Sequence, residues 1–178
     1  MLKKFKKLLI DYNLDGYIIP KNDEYFSEYS KPNRLFQISK FSGSAGFAIL
    51  TKNKNYLFVD GRYTLQAKLE SGTNFKIIEI PKIFPFDLFK SNSFKKKIGF
   101  DPKLFTNRML KGYFKDTCKL IPINNNFIDE VSIENKSKKI NYFYNIKKEY
   151  SGETLNSKIY RLCKILKNSK IDNIFISA

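Results

Sequence analysis

The segment Phe41–Leu69 constrains the fold of this chain more than any other part of the sequence. Gly43 and Gly46 bracket a loop of small residues, in which glycine permits backbone conformations that a side chain forbids. Two short apolar runs, over residues 47–51 and 56–59, follow on either side of a polar turn. This order predicts a loop that leads directly into a β-hairpin.

The residues Asp60-Gly61-Arg62-Tyr63, which follow the hairpin, are the best functional candidate in the sequence. Asp60 is placed to cap a helix that starts near Tyr63. Arg62 then stands at the mouth of a strand end, where α/β folds often place ligand contacts. A purely structural alternative is that Arg62 pairs with Asp60 or Glu28 and only braces the turn, since such ion pairs are common.

Two further motifs have both a functional and a structural interpretation. The loop Gly43–Gly46 resembles a phosphate cradle, but it lacks the Lys-Ser/Thr of a P-loop and enters a strand, which favours a structural loop. The acidic residues Asp23, Glu24 and Glu28 suggest paired carboxylates for acid/base chemistry. No other catalytic residue type accompanies them in the sequence.

Apolar periodicity predicts helices that alternate with strands along most of the chain. The predicted elements are a helix over 2–9, strands over 14–20, 75–80, 97–100 and 120–123, a short helix or loop over 84–89, and a helix over 103–114. Pro122 places the last of these strands near an edge of its sheet. The alternation indicates an α/β fold in which helices cover a central sheet.

The helix and strand at the start of the chain recur near its end. Apolar residues at helical spacing occupy 159–166, and the apolar run 171–176 follows them. This repeat predicts the first helix and strand of a second, similar domain, with chance similarity between two short periodic segments as the alternative. The predicted domains are residues 1–146 and 147–178, and the lysine- and asparagine-rich segment 134–148 is the predicted connection.

The formal charge of +16 at pH 7 invites a nucleic-acid interpretation, because basic side chains neutralise phosphates. Only four of the 33 basic residues are arginines, however, and arginine is the preferred residue for base and phosphate recognition. Abundant lysine, asparagine and isoleucine are typical of codon choice in a genome rich in A and T. We therefore expect a solvated basic surface and no specific nucleic-acid partner, with a functional basic face as the alternative.

Several features that the sequence lacks restrict its possible functions. No apolar run approaches the roughly 20 residues that span a bilayer, and lysines interrupt the N-terminal apolar residues, so we expect no membrane partner and a cytoplasmic location. The absence of histidine excludes, within this chain, Ser/His or Cys/His hydrolase arrangements and metal sites that need imidazole. Cys118 and Cys163 form no CxxC pair, which indicates ordinary packing or surface thiols.

Short motifs in a fixed order cover nearly the whole chain. They are Asp23 with Ser27-Glu28-Tyr29, Arg34, Phe36, Ile38, the segment Phe41–Leu69, Gly99-Phe100-Asp101-Pro102, Asn126–Val131, and Tyr150-Ser151-Gly152-Glu153 with Lys158. In this order and spacing they resemble the long, three-domain Xaa-Pro aminopeptidases of the creatinase/prolidase metallopeptidase group. The resemblance implies a mixed central sheet flanked by helices, in ribonuclease-H-like layers, followed by a second similar domain. One departure is that the family often has a histidine where this sequence has Glu24-Tyr25-Phe26.

The same resemblance implies a parent enzyme that removes an N-terminal residue preceding proline. In this family two Asp, one His and two Glu of a C-terminal domain hold two divalent metal ions, usually manganese, which activate a water. None of these ligands is assigned to this chain. We therefore predict no catalytic and no metal-binding residue here, and no peptidase activity of the 178-residue chain alone.

In related enzymes the N-terminal domains help to shape or cap an active site in a neighbouring subunit. The resemblance thus implies that Asp60, Arg62 and Tyr63 contact substrate or form an interface. It also implies three partners, namely the protein's own C-terminal catalytic domain, a second copy in a homodimer, and a proline-containing peptide. An alternative from a different class is a stand-alone module that binds a peptide or protein without peptidase activity.

Overall fold

The structure is a computed structural model that describes residues 1–27, 32–90, 95–132 and 146–176. The chain divides into two compact units, residues 1–134 and 135–178. The assignment of domains with a boundary between residues 146 and 147 stays a prediction. Most of the predicted connection over 134–148 lies outside the described residues.

A six-stranded mixed sheet forms the centre of the first unit. Its strands are β1 (Gly16–Pro20), β2 (Phe47–Thr51), β3 (Asn55–Asp60), β4 (Lys76–Ile80), β5 (Lys96–Phe100) and β6 (Cys118–Pro122). They lie in the order β4-β3-β2-β1-β5-β6, with β2 antiparallel to both neighbours and the other adjacent pairs parallel. The predicted hairpin is therefore confirmed, and Pro122 lies in an edge strand as predicted.

This topology gives the sheet two different ends. Every strand except β2 ends on one side of the sheet and begins on the opposite side. We call the side where these strands end the carboxyl edge and the side where they begin the amino edge. Neither term refers to the edge strands β4 and β6. Because β2 runs the other way, its first residue lies at the carboxyl edge and the β2–β3 turn lies at the amino edge. The two edges present different side chains, and each is described below.

Helices pack on both faces of the sheet and enclose two apolar cores. The helices of the first unit are α1 (Leu2–Asp11), α2 (Arg34–Ser39), α3 (Thr64–Ser71), α4 (Pro85–Phe89), α5 (Asn107–Phe114) and α6 (Phe127–Val131). Helices α1, α2, α3 and α6 contribute to one core, and α4 and α5 contribute to the other. The predicted α/β architecture, a mixed sheet flanked by helices, is confirmed.

Strand β1 shows why its sequence is a continuous apolar run. Tyr17 and Ile19 face the core with α1 and α6, whereas Ile18 faces the core with α4 and α5. Successive side chains of a strand point to opposite faces, so a strand that is covered on both sides is apolar at every position. Tyr17 also stacks on Phe127 with ring centroids 4.6 Å apart, which joins β1 to α6.

The predicted helix over 103–114 is too long at its start. Residues 101–104 form a turn in which the Asp101 carboxylate accepts a hydrogen bond from the Lys103 N–H, at 3.0 Å. Thr106 then caps α5 by accepting from the Met109 N–H at 3.2 Å, so the helix begins only at Asn107. Helices α2 and α6 were not predicted, because six and five residues are too few to show a clear 3.6-residue period.

The second unit contains helices α7 (Lys148–Ser151) and α8 (Leu155–Asn168). Helix α8 confirms the predicted second helix, and Thr154 caps it by accepting from the Ser157 N–H at 3.3 Å. The predicted strand over 171–176 is wrong, since these residues have no strand structure and remain exposed. A strand needs neighbouring strands to pair with, and the described part of this unit provides none.

Both cysteines are free thiols, in agreement with the sequence prediction. Cys118, in β6, is buried, whereas Cys163, in α8, is exposed. Burial raises the pKa of the Cys118 thiol to about 11, so this thiol remains protonated at neutral pH.

Candidate functional site

Three of the sequence motifs meet at the carboxyl edge of the sheet. Residues 21–27 follow β1, and residues 60–63 include the end of β3, which runs in the same direction. The loop 43–46 precedes the antiparallel strand β2 and so reaches the same edge. The backbone N–H of Lys21 donates to the carbonyl oxygen of Gly46 at 3.2 Å, which joins two of these segments.

Asp60 and Arg62 form an ion pair at this edge and are linked by three hydrogen bonds. The Asp60 Oδ1 atom accepts hydrogen bonds from the Arg62 N–H at 2.9 Å and from Arg62 Nε at 3.2 Å. Asp60 Oδ2 accepts from Arg62 Nη2 at 2.8 Å. The hydrogen bond from the Arg62 side chain is the main cause that lowers the pKa of the Asp60 carboxyl below its ordinary value. Asp60 therefore stays ionised and holds the guanidinium in one orientation.

The predicted cap at Asp60 is confirmed. Its carboxylate caps a 3-10 turn over Gly61–Tyr63, which leads directly into α3. The predicted pairing of Arg62 with Asp60 is also confirmed, whereas Glu28, the other proposed partner, lies outside the described residues. The side chain of Arg62 nevertheless remains 76% exposed. Arg62 thus braces the turn through Asp60 and also exposes its guanidinium to solvent.

Tyr63 is held by contacts with Ser44 and Phe41. Its hydroxyl shares a hydrogen bond of 2.8 Å with Ser44 Oγ, and its ring meets the edge of Phe41 at a centroid distance of 5.9 Å. The Arg62 guanidinium lies 5.3 Å from the Tyr63 ring centroid, within the range of a cation–π contact. Asp60, Arg62 and Tyr63 are therefore brought together as a charged and aromatic surface. Their assignment to substrate or to an interface stays a prediction.

Helix α3 fixes the neighbouring loop through a carboxylate. Glu70 Oε2 accepts from the Ser42 N–H at 2.7 Å, and Oε1 accepts from Ser42 Oγ at 2.7 Å. Gln66 Nε2 donates to Ser42 Oγ at 2.9 Å and to Glu70 Oε1 at 3.0 Å. Desolvation acts to raise the pKa of Glu70, but the hydrogen bonds from Ser42 and Gln66 outweigh it and lower the pKa below its ordinary value. An ionised Glu70 thus clamps the loop onto α3.

The two glycines of this loop are explained by close packing. A Cβ atom on Gly43 would lie 2.2 Å from the Phe41 ring, which is closer than any real contact. Gly46 has a φ of +155°, and a Cβ atom there would lie 2.8 Å from the carbonyl oxygen of Phe58. Chain geometry therefore accounts for both glycines, as the structural interpretation of the loop requires.

The acidic residues near the end of β1 act as local hydrogen-bond acceptors. Asp23 Oδ1 accepts from the N–H groups of Tyr25 and Ser27, each at 2.9 Å. Glu24 Oε1 accepts from Arg34 Nη2 at 3.0 Å. Glu28, the third member of the predicted cluster, lies outside the described residues. The contacts of Asp23 and Glu24 hold the loop that leaves β1, which is a structural role.

Arg34 is a key residue that sequence reasoning did not single out for a role. Its side chain is only 7% exposed, and Nε and Nη2 donate to the two carboxylate oxygens of Asp129 at 2.9 and 2.8 Å. Burial alone lowers the pKa of Arg34, but Asp129 and Glu24 outweigh burial and raise it above its ordinary value. Residues 34 and 129 are 95 positions apart, so no local pattern indicates this pair, which joins α2 to α6.

The described residues contain neither a cluster of metal ligands nor a membrane-spanning helix. No group of three or more His, Cys, Asp or Glu side chains among them is arranged to hold a metal ion. Within the same residues, no helix combines the length and the apolar character that crossing a bilayer requires.

A family model described as the creatinase/prolidase N-terminal domain matches residues 1–131. The chain belongs to this family. The match spans all six strands of the central sheet and the candidate residues Asp60, Arg62 and Tyr63.

Curated relatives of this family member are named as Xaa-Pro aminopeptidases. A probable Xaa-Pro aminopeptidase P of Laccaria bicolor is 31% identical over 188 residues, which cover 99% of this chain and 29% of the relative. Xaa-Pro aminopeptidase ApepP of Drosophila melanogaster is 32% identical over 177 residues, covering 93% of this chain and 29% of the relative. The chain thus spans less than a third of the length of these relatives.

Two solved structures share the fold of this chain. The X-prolyl aminopeptidase of Caenorhabditis elegans, described as a cytosolic enzyme with a di-nuclear active site, superposes with a TM-score of 0.68 at 25% identity. The superposition covers 95% of this chain and 31% of that enzyme. An aminopeptidase P structure from Streptococcus thermophilus gives a TM-score of 0.55 at 25% identity and covers 72% of this chain and 93% of its own.

Proposed function

We propose that this chain is the non-catalytic N-terminal region of a metal-dependent Xaa-Pro aminopeptidase. The parent enzyme removes an N-terminal residue that precedes proline, and this region supports its assembly and shapes or caps its active site. The proposal rests on how much of each sequence is matched. Relatives named for this activity match 93–99% of this chain, but the match spans only 29% of their own length.

The surface of Asp60, Arg62 and Tyr63 is the part of this region that we assign to that role. It lies at the carboxyl edge, where α/β proteins commonly bind ligands. The ion pair with Asp60 and the contact with Tyr63 hold the Arg62 guanidinium in place. Arginine presents a planar set of donors that matches a carboxylate, so a peptide carboxylate or an acidic side chain of a partner subunit is the expected contact.

The chemistry of peptide cleavage belongs to the remainder of the parent protein. No residue of this chain is assigned to hold a metal; two divalent ions bound in that remainder, manganese in our proposal, would supply the polarisation of the peptide carbonyl and the activation of a water. The di-nuclear active site and the cytosolic location named for the Caenorhabditis elegans enzyme support a metal pair and a cytoplasmic location for this parent. A homodimer is the proposed assembly, in which each N-terminal region adjoins the catalytic domain of a partner.

The test uses the parent protein, expressed from the full reading frame that contains this sequence. Replacing Arg62 by Ala is expected to lower kcat/KM for an Xaa-Pro peptide by about tenfold, which corresponds to about 1.4 kcal/mol of lost transition-state stabilisation. Arg62→Lys is expected to recover part of this loss, because charge returns without the planar fork. Arg108→Ala, at an exposed position of α5, is the matched control and is expected to leave kcat/KM unchanged.

The outcomes separate the proposed roles. Equal kinetics of the Arg62→Ala and Arg108→Ala enzymes would remove Arg62 from the substrate or interface contact. A reading frame without a catalytic domain would overturn the proposed parent activity and favour the alternative, a stand-alone module that binds a peptide or protein.

A further inference from the structure

The amino edge of the sheet contains a cavity that the proposed function does not use. Its volume is about 290 Å³, close to the lower end of the range for small-molecule sites, which begins at roughly 300 Å³. The β2–β3 turn, the starts of β3 and β5, and α4 supply its walls. It lies at the opposite end of the strands from Asp60 and Arg62, so the two sites are independent.

Three lysines and one aspartate give this cavity its charge. Lys52, Lys54 and Lys96 line it together with Asp15, which leaves a net charge of +2. Lys52 makes a long contact with Asp15, at 3.8 Å, and the same carboxylate accepts from the Lys97 N–H at 2.9 Å. The Asp15 carboxylate is therefore shared between two donors and neutralises only part of the positive charge.

The other two lysines, Lys54 and Lys96, differ from Lys52 in their contacts. Among the residues that the structure describes, the ammonium groups of Lys54 and Lys96 form no hydrogen bond or ion pair with a protein group. Each ammonium has three N–H donors. Together with Lys52 they place three ammonium groups on the lining of one cavity, and an anion bound there would offset their mutual repulsion. A phosphate monoester, with a charge of about −1.5 to −2 at pH 7, matches the net charge of the site.

The floor of the cavity is apolar. Phe89 and Ile98 are buried members of one core, and Leu88 packs partly buried against the same core. All three line the cavity, and the half-buried Tyr56 adds an aromatic wall. A ligand that fills the cavity thus meets both ammonium groups and buried hydrocarbon, which favours an organic anion over a bare inorganic one.

We propose that this cavity binds a small phosphorylated organic molecule. Its phosphate lies against Lys52, Lys54 and Lys96, and its apolar part lies over Leu88 and Phe89. Lysine binds phosphate as a point charge without fixed geometry, which suits side chains that are exposed or half-buried in the free protein.

The test is an NMR titration of the 178-residue chain in 0.15 M salt, where attraction between exposed charges is largely screened beyond about 8 Å. Phenyl phosphate is the probe, with inorganic phosphate and benzoate in parallel. We expect saturable binding of phenyl phosphate with a Kd of about 1 mM or lower. Shifts are expected to be confined to amides of the segments that line the cavity, at positions 15, 51–56, 88–89 and 96–98, with at least threefold weaker binding of the other two anions. Absence of saturation, or shifts spread over the surface, would overturn the proposal.

Variants of equal charge distinguish a site from general attraction. The double variant Lys54→Gln/Lys96→Gln is expected to weaken phenyl phosphate binding by about tenfold, because each lost charged contact contributes about 1 kcal/mol or more. Lys68→Gln/Lys111→Gln, at exposed positions outside the cavity, has the same net charge and is expected to change the Kd less than twofold.

Each remaining outcome also decides the proposal. Equal weakening by the two double variants would overturn the assignment of binding to this cavity. Equal affinity for phenyl phosphate and inorganic phosphate would overturn the proposal that the ligand has an organic part. Benzoate binding as tight as that of phenyl phosphate would overturn the proposal that the cavity prefers a phosphate group. The single variant Lys54→Gln, at an exposed turn position, retains a half-buried Lys96 and tests the same contact if the double variant does not fold.

Discussion

The two units of the chain have similar amphipathic helices but very different burial. In the first unit, α1 buries Phe5 and Leu9 against the sheet. In the second unit, none of the fourteen residues of α8 is buried, although its sequence has the same helical spacing of apolar residues. An apolar stripe thus accompanies a helix in both units. Its residues become part of a hydrophobic core only where the helix packs against a sheet.

One isoleucine from each unit shows the difference in burial. Ile49, in β2, is fully buried, whereas Ile159, in α8, is 49% exposed. Ile49→Ala is expected to lower the free energy of unfolding by about 3 kcal/mol, through lost burial and a residual cavity. Ile159→Ala is expected to change it by less than about 0.5 kcal/mol, as surface substitutions do. Urea unfolding of both variants provides the measurement, and equal losses would break the distinction between the units.

Removing the second unit tests the same distinction with a smaller expected effect. Both apolar cores consist of residues from the first unit. A chain of residues 1–134 is therefore expected to unfold cooperatively, with a free energy of unfolding within about 1 kcal/mol of the full chain. Thermal or urea unfolding followed by near-ultraviolet circular dichroism measures this directly. A shortened chain that fails to fold would show that the first unit depends on residues 135–178.

The smallest expected effect concerns the clamp between α3 and the loop before β2. Because the pKa of Glu70 is lowered in the folded chain, its contribution is fully present above the ordinary pKa of 4.5 and is lost as the pH falls through the lowered value. The urea midpoint of Glu70→Gln is therefore expected to lie below that of the unsubstituted chain at pH 6, by a difference that is smaller at pH 3. A difference of constant size at both pH values would show that ionisation of Glu70 is not involved.

Local sequence patterns predicted the parts of the fold that depend on short-range geometry. The hairpin around residue 53 and the cap at Asp60 follow from turn residues and strand length, and both are present. The motif resemblance indicated the family, which the match over residues 1–131 bears out. The hairpin and the cap depend on residues that are close in sequence, and the family resemblance depends on the order of motifs along the chain.

Features that depend on distant partners were missed or predicted wrongly. The pair of Arg34 with Asp129 joins residues 95 positions apart, and nothing in either segment indicates it. The apolar run 171–176 has the composition of a strand, but composition does not provide the neighbouring strands that it needs. The cavity of the amino edge was missed for the same reason, since only the topology of the sheet brings Lys96 to Lys52 and Lys54.

One assay tests the central claim, that residues 1–178 belong to an Xaa-Pro aminopeptidase without carrying its catalysis. Hydrolysis of an Xaa-Pro peptide is measured with manganese and with a metal-free control, for the parent protein and for the 178-residue chain. We expect metal-dependent release of the first residue by the parent and none above the control by the chain. Hydrolysis by the 178-residue chain, or none by the parent, would contradict the account.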